Sequence, residues 1–189
     1  MQREKSHSEA TEGHTYVVDP PMNTVLSKLT MDEKEQIGRA IGRIASGVFV
    51  VTTERSGVRD GLLASWVCQA AFAPPMLSVA IKKERHILDL LGVGRQFNVN
   101  VLSKKNMDIF KNFVSPYKEG MDRFQGLAVA ENSTAGPVLA DSIAYMGCIT
   151  RTMVETGDHV VVIGEIIDGG LLNAEAEPMV HLRRNGFQY

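Results

Sequence analysis

Gly61-Leu-Leu-Ala-Ser-Trp-Val-Cys-Gln-Ala-Ala-Phe-Ala-Pro-Pro75 is the stretch of the chain with the clearest structural pattern. Residues 62–71 predict a β-strand, and the two prolines stop it because proline has no amide donor for the interior of a sheet. Small side chains along this strand would let a flat ligand approach the backbone, whose amides and carbonyls can bind a heteroaromatic edge. The alternative is a half-buried strand with Trp66 in the core, and hydrophobic periodicity alone favours that alternative.

The segments on either side of this strand also have β-strand character. Val48-Phe-Val-Val-Thr-Thr53 is a β-branched run, and Ser56-Gly57 and Asp60-Gly61 predict turns between it and the next strand. Further strands are predicted over 76–81, 96–102, 143–154, 160–167 and 179–183, with short helices over 86–91 and 106–113. Some six or seven strands with short helices predict a mainly β fold that forms a closed or half-open barrel, because closure removes the edges of an antiparallel sheet.

The part of the chain before the first strand divides in two. Residues 1–28 are mostly polar and predict a flexible arm, and residues 29–189 form the predicted domain. Thr30-Met31-Asp32-Glu33 fits a capping box, in which the threonine and glutamate side chains satisfy each other's backbone amides. The helical spacing of Ile37, Ala40, Ile41 and Ile44 predicts an inward-facing side for this helix, which Gly47 would end.

Composition excludes several classes of protein. The 189 residues, with 44% hydrophobic and 22% charged, indicate one soluble globular domain instead of a disordered chain. The 20 basic and 22 acidic residues give a net charge of −2, which argues against a nucleic-acid surface. No apolar run approaches the roughly 18 residues of a membrane span. The first ten residues lack the apolar region of a secretory signal, so we expect a cytoplasmic protein.

Several familiar sites are missing from the sequence. Cys68 and Cys148 lie far apart and outside any Cys-x-x-Cys, so we expect buried small hydrophobic side chains instead of a disulfide. The five histidines show no metal-ligand spacing, and we expect no metal site. Gly92-Val93-Gly94 offers the first two glycines of a dinucleotide fingerprint, but Phe97 stands at the third position, which excludes a Rossmann domain.

Lys82-Lys83-Glu84-Arg85-His86 is a local basic cluster in a nearly neutral chain. It lies where a predicted strand leads into a predicted helix, and backbone amides together with basic side chains suit a phosphate there. The alternative is a solvated loop, and the two interpretations are equally supported by the cluster alone.

Glu155-Thr156-Gly157-Asp158-His159-Val160 places a histidine after a Gly-Asp turn, at the start of an apolar strand. Such a histidine can titrate near neutrality or hold an anionic cofactor. The alternative is a histidine at a strand end whose ring is bonded to a backbone carbonyl.

Taken in order, these segments resemble the flavin reductase-like family of FMN-binding split barrels. The resemblance rests on five matches over roughly residues 35–189, which are 47–53, 61–75, 97–102, Asp122-Arg123-Phe124 and Gly157-Asp158-His159. Ala64-Ser-Trp-Val67 and the terminal Gly186-Phe-Gln-Tyr189 are most similar to the flavin reductase module of flavodiiron proteins.

The resemblance implies a homodimeric, NAD(P)H-dependent flavin oxidoreductase that passes hydride to non-covalently bound FMN, with FAD as the less frequent cofactor. Either NADH or NADPH would be the electron donor, and free flavin, an iron complex or a protein would be the acceptor. The alternative is an FMN-binding electron carrier that docks to a redox protein and reacts slowly with nicotinamides.

The resemblance also assigns residues. The flavin ring would lie against the backbone of the segment around Trp66, and the residues concerned are Leu63, Ala64, Ser65, Trp66, Val67 and Gln69. The phosphate would lie near Lys82, Arg85 and His86, although the family's commoner Lys-x-Ser-x-Thr pattern is absent there. His159 would be the catalytic residue on the nicotinamide side.

Overall fold

A computed structural model describes residues 26–130 and 135–187 of the chain. The helices are α1 Met31–Ile41, α2 Ile87–Leu90 and α3 Met107–Val114, preceded by a 3-10 turn at Leu26–Lys28. The strands are β1 Ser46–Gly47, β2 Phe49–Arg55, β3 Val58–Ala64, β4 Val67–Phe72, β5 Pro75–Lys82, β6 Gln96–Val101, β7 Val129–Ala130, β8 Val138–Leu139, β9 Ala144–Thr156, β10 His159–Leu171 and β11 Val180–His181. The arm expected at 1–28 lies outside the described residues as far as residue 25, and residues 26–28 form the 3-10 turn.

Seven strands form one antiparallel sheet in the order β3-β2-β6-β9-β10-β5-β4. The strands β3 and β4 are consecutive in the chain but lie at opposite edges of the sheet, joined only by Ser65 and Trp66. The sheet therefore curls until its two edges meet at this dipeptide, which gives a barrel with a split between β3 and β4. The expected mainly β split barrel is confirmed.

Two apolar clusters stabilise this architecture. The first fills the barrel and includes Val51, Val79, Phe97 and Val162, each fully or almost fully buried. The second lies outside the barrel wall, under α3. Successive side chains of a strand point to opposite faces, so Val50 of β2 packs in the second cluster while Val51 packs in the first. From α3, the buried side chains of Ile109 and Phe113 belong to this second cluster, and the partly buried Phe110 packs against it.

The segment from residue 60 to residue 71 differs from its prediction. The expected strand over 62–71 is two strands, and the expected turn at Asp60-Gly61 lies inside β3. The reason is tertiary: the ring of Phe113 occupies the space where a Cβ on Gly61 would lie, and Asp60 is buried with its own partners. A glycine inside a strand commonly marks such a close approach.

Helix α1 confirms one expectation and contradicts another. Thr30 and Glu33 form the expected capping box. However, the helix ends at Ile41 instead of Gly47, and the side chains of Ile37 and Ile44 are 37% and 66% exposed. Its buried positions are Gly38 and the cap residue Gly42, because the C-terminal segment of the chain passes directly over these glycines.

The two cysteines are free and have different surroundings. Cys148 is fully buried in the barrel core, and burial raises the pKa of its thiol to about 12, so it is protonated at neutral pH. Cys68 is exposed, which contradicts the expectation that both are buried. The reason is that β4 is an edge strand, and Cys68 faces outward from it.

Candidate functional site

The junction between β3 and β4 brings the predicted flavin segment next to the predicted catalytic histidine. His159 begins β10, and its Cα is paired in the sheet with that of Lys82 at the end of β5. The carbonyl of Trp66 accepts a hydrogen bond from the amide of Ala80 on β5 at 3.0 Å. These pairings place the Trp66 and His159 rings in contact, with centroids 4.8 Å apart and an interplanar angle of 36°.

His159 is held by its neighbour Asp158. Gly157 has φ +54°, a left-handed conformation that favours glycine, and it turns the chain so that Asp158 lies beside the histidine ring. His159 Nδ1 lies 2.7 Å from Asp158 Oδ1, and the histidine side chain is 9% exposed. This hydrogen bond lowers the pKa of Asp158 below its ordinary value, so the carboxylate is ionised at neutral pH. Asp158 thus fixes the orientation of the imidazole.

The C-terminal segment also contacts the tryptophan. Arg183 Cζ lies 5.0 Å from the centroid of the Trp66 ring, a cation–π distance. The Trp66 ring therefore contacts both His159 and Arg183, and the residue is half-buried.

A second cluster lies at the other end of β3, around the buried carboxylate of Asp60. Asp60 Oδ2 lies 2.9 Å from His86 Nδ1, and Asp60 Oδ1 lies 3.7 Å from Arg123 Nη1. The His86 ring is stacked on Tyr117, with centroids 4.0 Å apart and an interplanar angle of 5°. Arg123 also donates hydrogen bonds to the carbonyls of Gly61 and Ser115. Burial lowers the pKa of Arg123, and the Asp60 carboxylate opposes that effect.

These residues line a cavity of about 100 Å³, which also contains Arg85. The Arg85 guanidinium makes no ion pair with any residue of the described ranges, so it is available to an anion. Lys82 does not line the cavity, and its ammonium lies 3.3 Å from the Glu84 carboxylate at the surface. The structure thus brings together Arg85 and His86 of the three predicted phosphate residues, and separates Lys82 from them.

The remaining predicted flavin contacts flank the junction. Leu63 and Val67 are half-buried and pack against the two core clusters. Ala64 is 8% exposed and lies within the first cluster. Gln69 is exposed, and its side-chain amide donates to the carbonyl of Ala71 at 3.3 Å.

Within residues 26–130 and 135–187, three buried polar side-chain atoms lack a hydrogen-bond partner. Two of them belong to the candidate site: Ser65 Oγ at the strand junction and Arg123 Nε beside the Asp60 cavity. Buried polar groups are normally satisfied, so an unpaired hydroxyl beside two sheet edges fits a ligand that would supply the missing partner. The two edge strands also favour a ligand here, because β3 and β4 each have one strand partner in the described sheet and so leave backbone groups unpaired along their free edges.

Four residues of this arrangement have no role in the sequence prediction: Asp60, Tyr117, Arg123 and Arg183. The segment Asp122-Arg123-Phe124 is one of the matches to the family in the sequence. Nothing in its sequence, however, indicates that Arg123 is buried beside Asp60. Asp60 was predicted to lie in a turn. Tyr117 and Arg183 show no signal in the sequence pattern.

The described residues contain no helix that is long and apolar enough to cross a membrane. They also contain no group of three or more His, Cys, Asp or Glu side chains that could hold a metal ion.

The split barrel and its site can be compared with solved structures. The NADH:FAD oxidoreductase SgcE6 of Streptomyces globisporus superimposes with a TM-score of 0.73 over 82% of this chain and 92% of that chain, at 24% identity. SgcE6 has also been solved in complex with NAD and FAD fragments. The flavin reductase PheA2 gives a TM-score of 0.65 over 76% of this chain and 90% of that chain, at 27% identity. The fold is therefore that of the flavin reductase split barrels.

Curated relatives and the family model lead to the same class. Diflavin flavoprotein A 1 of Synechocystis sp. is 38% identical over 152 residues, which are 80% of this chain and 26% of that protein. The chain thus spans about a quarter of the length of the curated relatives that it matches. Residues 41–188 match the model of a protein family, which is described as "flavin reductase like domain". The protein belongs to the flavin reductase-like domain family.

Proposed function

We propose that this protein is an NAD(P)H-dependent flavin oxidoreductase that binds FMN without a covalent bond, with FAD as the alternative cofactor. The observation that carries the proposal is the ring contact between Trp66 and His159, made where the two edges of the barrel meet. Strand β3 has a free edge beside this contact, and the cavity around Asp60 lies at its other end. This arrangement suits a ligand that carries a flat ring and a phosphate.

The residues at the junction would bind the flavin ring. Backbone amides between Leu63 and Gln69 can donate to the edge of the ring where negative charge develops on reduction, and the unpaired hydroxyl of Ser65 can add a further bond. Arg85 would hold the phosphate, because its guanidinium has no other ion-pair partner in the described part of the chain. His86, fixed by Asp60 and Tyr117, would shape the same cavity.

His159 would orient the nicotinamide, and Asp158 would keep the imidazole in place for that task. When bound, the flavin supplies the redox chemistry, taking a hydride at N5 and passing the electrons to free flavin, an iron complex or a protein. The chain therefore needs no nucleophile of its own. Its contribution is orientation and electrostatics, as is usual for cofactor enzymes.

An absorbance spectrum tests the proposal directly. The purified full chain, or the chain mixed with FMN and desalted, should be yellow and should bleach anaerobically with NADH or NADPH. The substitution His159→Gln should leave flavin content unchanged and slow the bleaching about tenfold, the effect of losing roughly 1.4 kcal/mol of transition-state stabilisation. A colourless chain that does not retain added FMN contradicts the proposal.

A second candidate function is supported by the length of the relatives. The chain matches about a quarter of each diflavin flavoprotein, so this domain works there as one part of a longer protein. In that case it would be an FMN-binding electron carrier docking to a redox protein. Stopped-flow reduction separates the two functions, because a carrier should reduce faster with a protein donor than with either nicotinamide.

The proposal also includes assembly and location. We expect a homodimer in the cytoplasm whose small-molecule partners are flavin and nicotinamide nucleotides. The exposed edge strand β4, with Phe72 89% exposed, supports association with a second copy.

A further inference from the structure

Four arginines line one concavity at the junction of α1 and the C-terminal segment. This arginine pocket has a volume of about 370 Å³ and is lined by Arg39, Arg43, Leu182, Arg183 and Arg184. Such a volume is within the range of small-molecule sites, roughly 300–1,000 Å³. The sequence pattern gives no indication of this pocket.

The pocket exists because the C-terminal segment lies directly on α1. The amide of Gly186 donates to the carbonyl of Gly38 at 2.6 Å, and a Cβ on Gly42 would lie 2.7 Å from the carbonyl oxygen of Arg183. The two glycines are four residues apart, so they share one face of the helix. Arg39 and Arg43 each follow one of these glycines and form one wall, while Arg183 and Arg184 form the other.

The charge of the pocket is unusual for this chain. It gathers four of the eleven arginines of a protein whose net charge is −2. Arg39 has an ion pair with Glu35 at 2.6 Å, but both side chains are more than half exposed, so the pair neutralises little. Arg43 and Arg184 have no ion-pair partner within residues 26–130 and 135–187. Like charges gathered in a concavity repel one another and attract an anion.

The pocket adjoins the proposed nicotinamide position. Arg183 belongs both to the pocket and to the Trp66 stack, with its Cζ 5.0 Å from the indole centroid. The Trp66 centroid lies 4.8 Å from that of His159. An elongated ligand with one end at His159 would therefore reach the arginines along the tryptophan.

We propose that the arginine pocket binds phosphate groups of the nicotinamide dinucleotide and makes the 2′-phosphorylated form, NADPH, the preferred donor. This inference rests on the proposed function. The pyrophosphate of either dinucleotide brings two negative charges, fewer than the four guanidiniums, whereas a 2′-phosphate adds about 1.5 to 2 more at neutral pH. Arginine suits this task because its planar fork binds phosphate through two parallel hydrogen bonds. An arginine is also a known device for accommodating a 2′-phosphate.

Calorimetry with nucleotide fragments tests the pocket without any redox step. The full chain should bind adenosine 2′,5′-bisphosphate at least tenfold more tightly than 5′-AMP. Arg43→Gln and Arg184→Gln should each weaken that binding about tenfold, the effect of one lost charged hydrogen bond. Arg95→Gln removes the same charge from an exposed loop arginine that lines neither cavity, and it should change nothing.

Kinetics with the same variants complete the test. Arg43→Gln and Arg184→Gln should raise the KM for NADPH about tenfold and the KM for NADH by a smaller factor, because NADH brings only the charge of its pyrophosphate to the pocket. Equal affinity of the unaltered chain for the two fragments, or variants that lose only the reaction with an acidic redox protein, would overturn the inference. Failure of both dinucleotides to reduce the flavin contradicts the proposed function instead, while the calorimetry still decides whether the pocket binds the phosphate.

Discussion

At the scale of the residue, the contact between Asp158 and His159 is the feature with the most direct chemical consequence. The carboxylate lies 2.7 Å from Nδ1, so it holds the ring in one orientation and leaves Nε2 for another partner. The hydrogen bond lowers the pKa of Asp158, so its folded-state pKa is below its unfolded value. The stabilising effect is therefore present above the ordinary Asp range and is lost as pH falls through the lowered value.

Asp158→Asn tests this positioning role. We expect kcat/KM for the nicotinamide donor to fall about tenfold, since roughly 1.4 kcal/mol of orienting interaction is lost, and flavin content to stay the same. The pH profile should also change, because the acid limb set by the Asp158 carboxylate disappears in the variant. Glu155→Gln is the matched control, because this carboxylate of the same hairpin pairs with Lys83 instead of a histidine. An equal loss in both variants would mean that the hairpin, and not the Asp158–His159 bond, is responsible.

At the scale of the element, the packing of the C-terminal segment on α1 shows why glycines matter at a helix surface. Gly42 has φ −61°, a conformation that alanine adopts without strain, so any effect of a substitution there is steric. An added Cβ would lie 2.7 Å from a backbone oxygen, which cannot turn aside as a flexible side chain can. The exposed Ile37 and Ile44 show that ordinary apolar periodicity does not select the contact face here.

Gly42→Ala should lower the free energy of unfolding by about 1–3 kcal/mol, the usual cost of overpacking. It should also weaken binding of adenosine 2′,5′-bisphosphate, because the two walls of the arginine pocket separate. Urea denaturation and calorimetry measure the two effects. Gly92→Ala is the control: its Cβ would meet only Arg95 Cγ at 3.7 Å, an ordinary contact, so the expected change is within about 0.5 kcal/mol.

At the scale of the whole molecule, the order of the strands explains why a site forms at all. The two edges of the sheet come from consecutive strands, so the chain itself bridges the split in the barrel at Ser65 and Trp66. Backbone groups on those edges, an unpaired hydroxyl and a ring contact to β10 are thereby concentrated in one place. The end of β4 away from this junction, at Phe72, is exposed to another copy of the chain.

Sedimentation analysis tests the expected homodimer. At micromolar concentration, the molar mass measured by sedimentation for the unaltered chain should be twice that of its 20.7 kDa monomer. Phe72→Lys places a charge on the exposed end of β4, which is a common way of preventing edge association, and it should shift the equilibrium toward the monomer. Val93→Lys alters another apolar side chain, 70% exposed in a loop, and should leave the mass unchanged. A monomeric unaltered chain, or a dimer unaffected by Phe72→Lys, contradicts the assignment of this edge.

Features set by neighbouring residues were predictable. The capping box at Thr30 and Glu33 needs only a spacing of three residues, and it is present. Strands β5 and β6 begin within one residue of their predicted starts at Met76 and Gln96. The Gly-Asp turn before His159 follows in the same way, because a left-handed position at Gly157 is a local requirement.

Features set by distant residues were not predictable. Asp60 and Arg123 are 63 positions apart in the chain, and their contact depends on α3 packing against β3. The arginine pocket joins residues near position 40 to residues near position 184. The sequence predicts a turn at Gly61, because the residues around it do not show that the ring of Phe113 packs against this glycine.

The sequence by itself determined the class of fold and the order of the family segments, since each follows from local propensity or spacing. Tertiary structure alone decided which side chains meet: His159 with Trp66, His86 with Asp60, and four arginines with one another. The physical reason is that strand propensity acts between neighbours along the chain, whereas these contacts arise when a seven-stranded sheet curls and joins its edges.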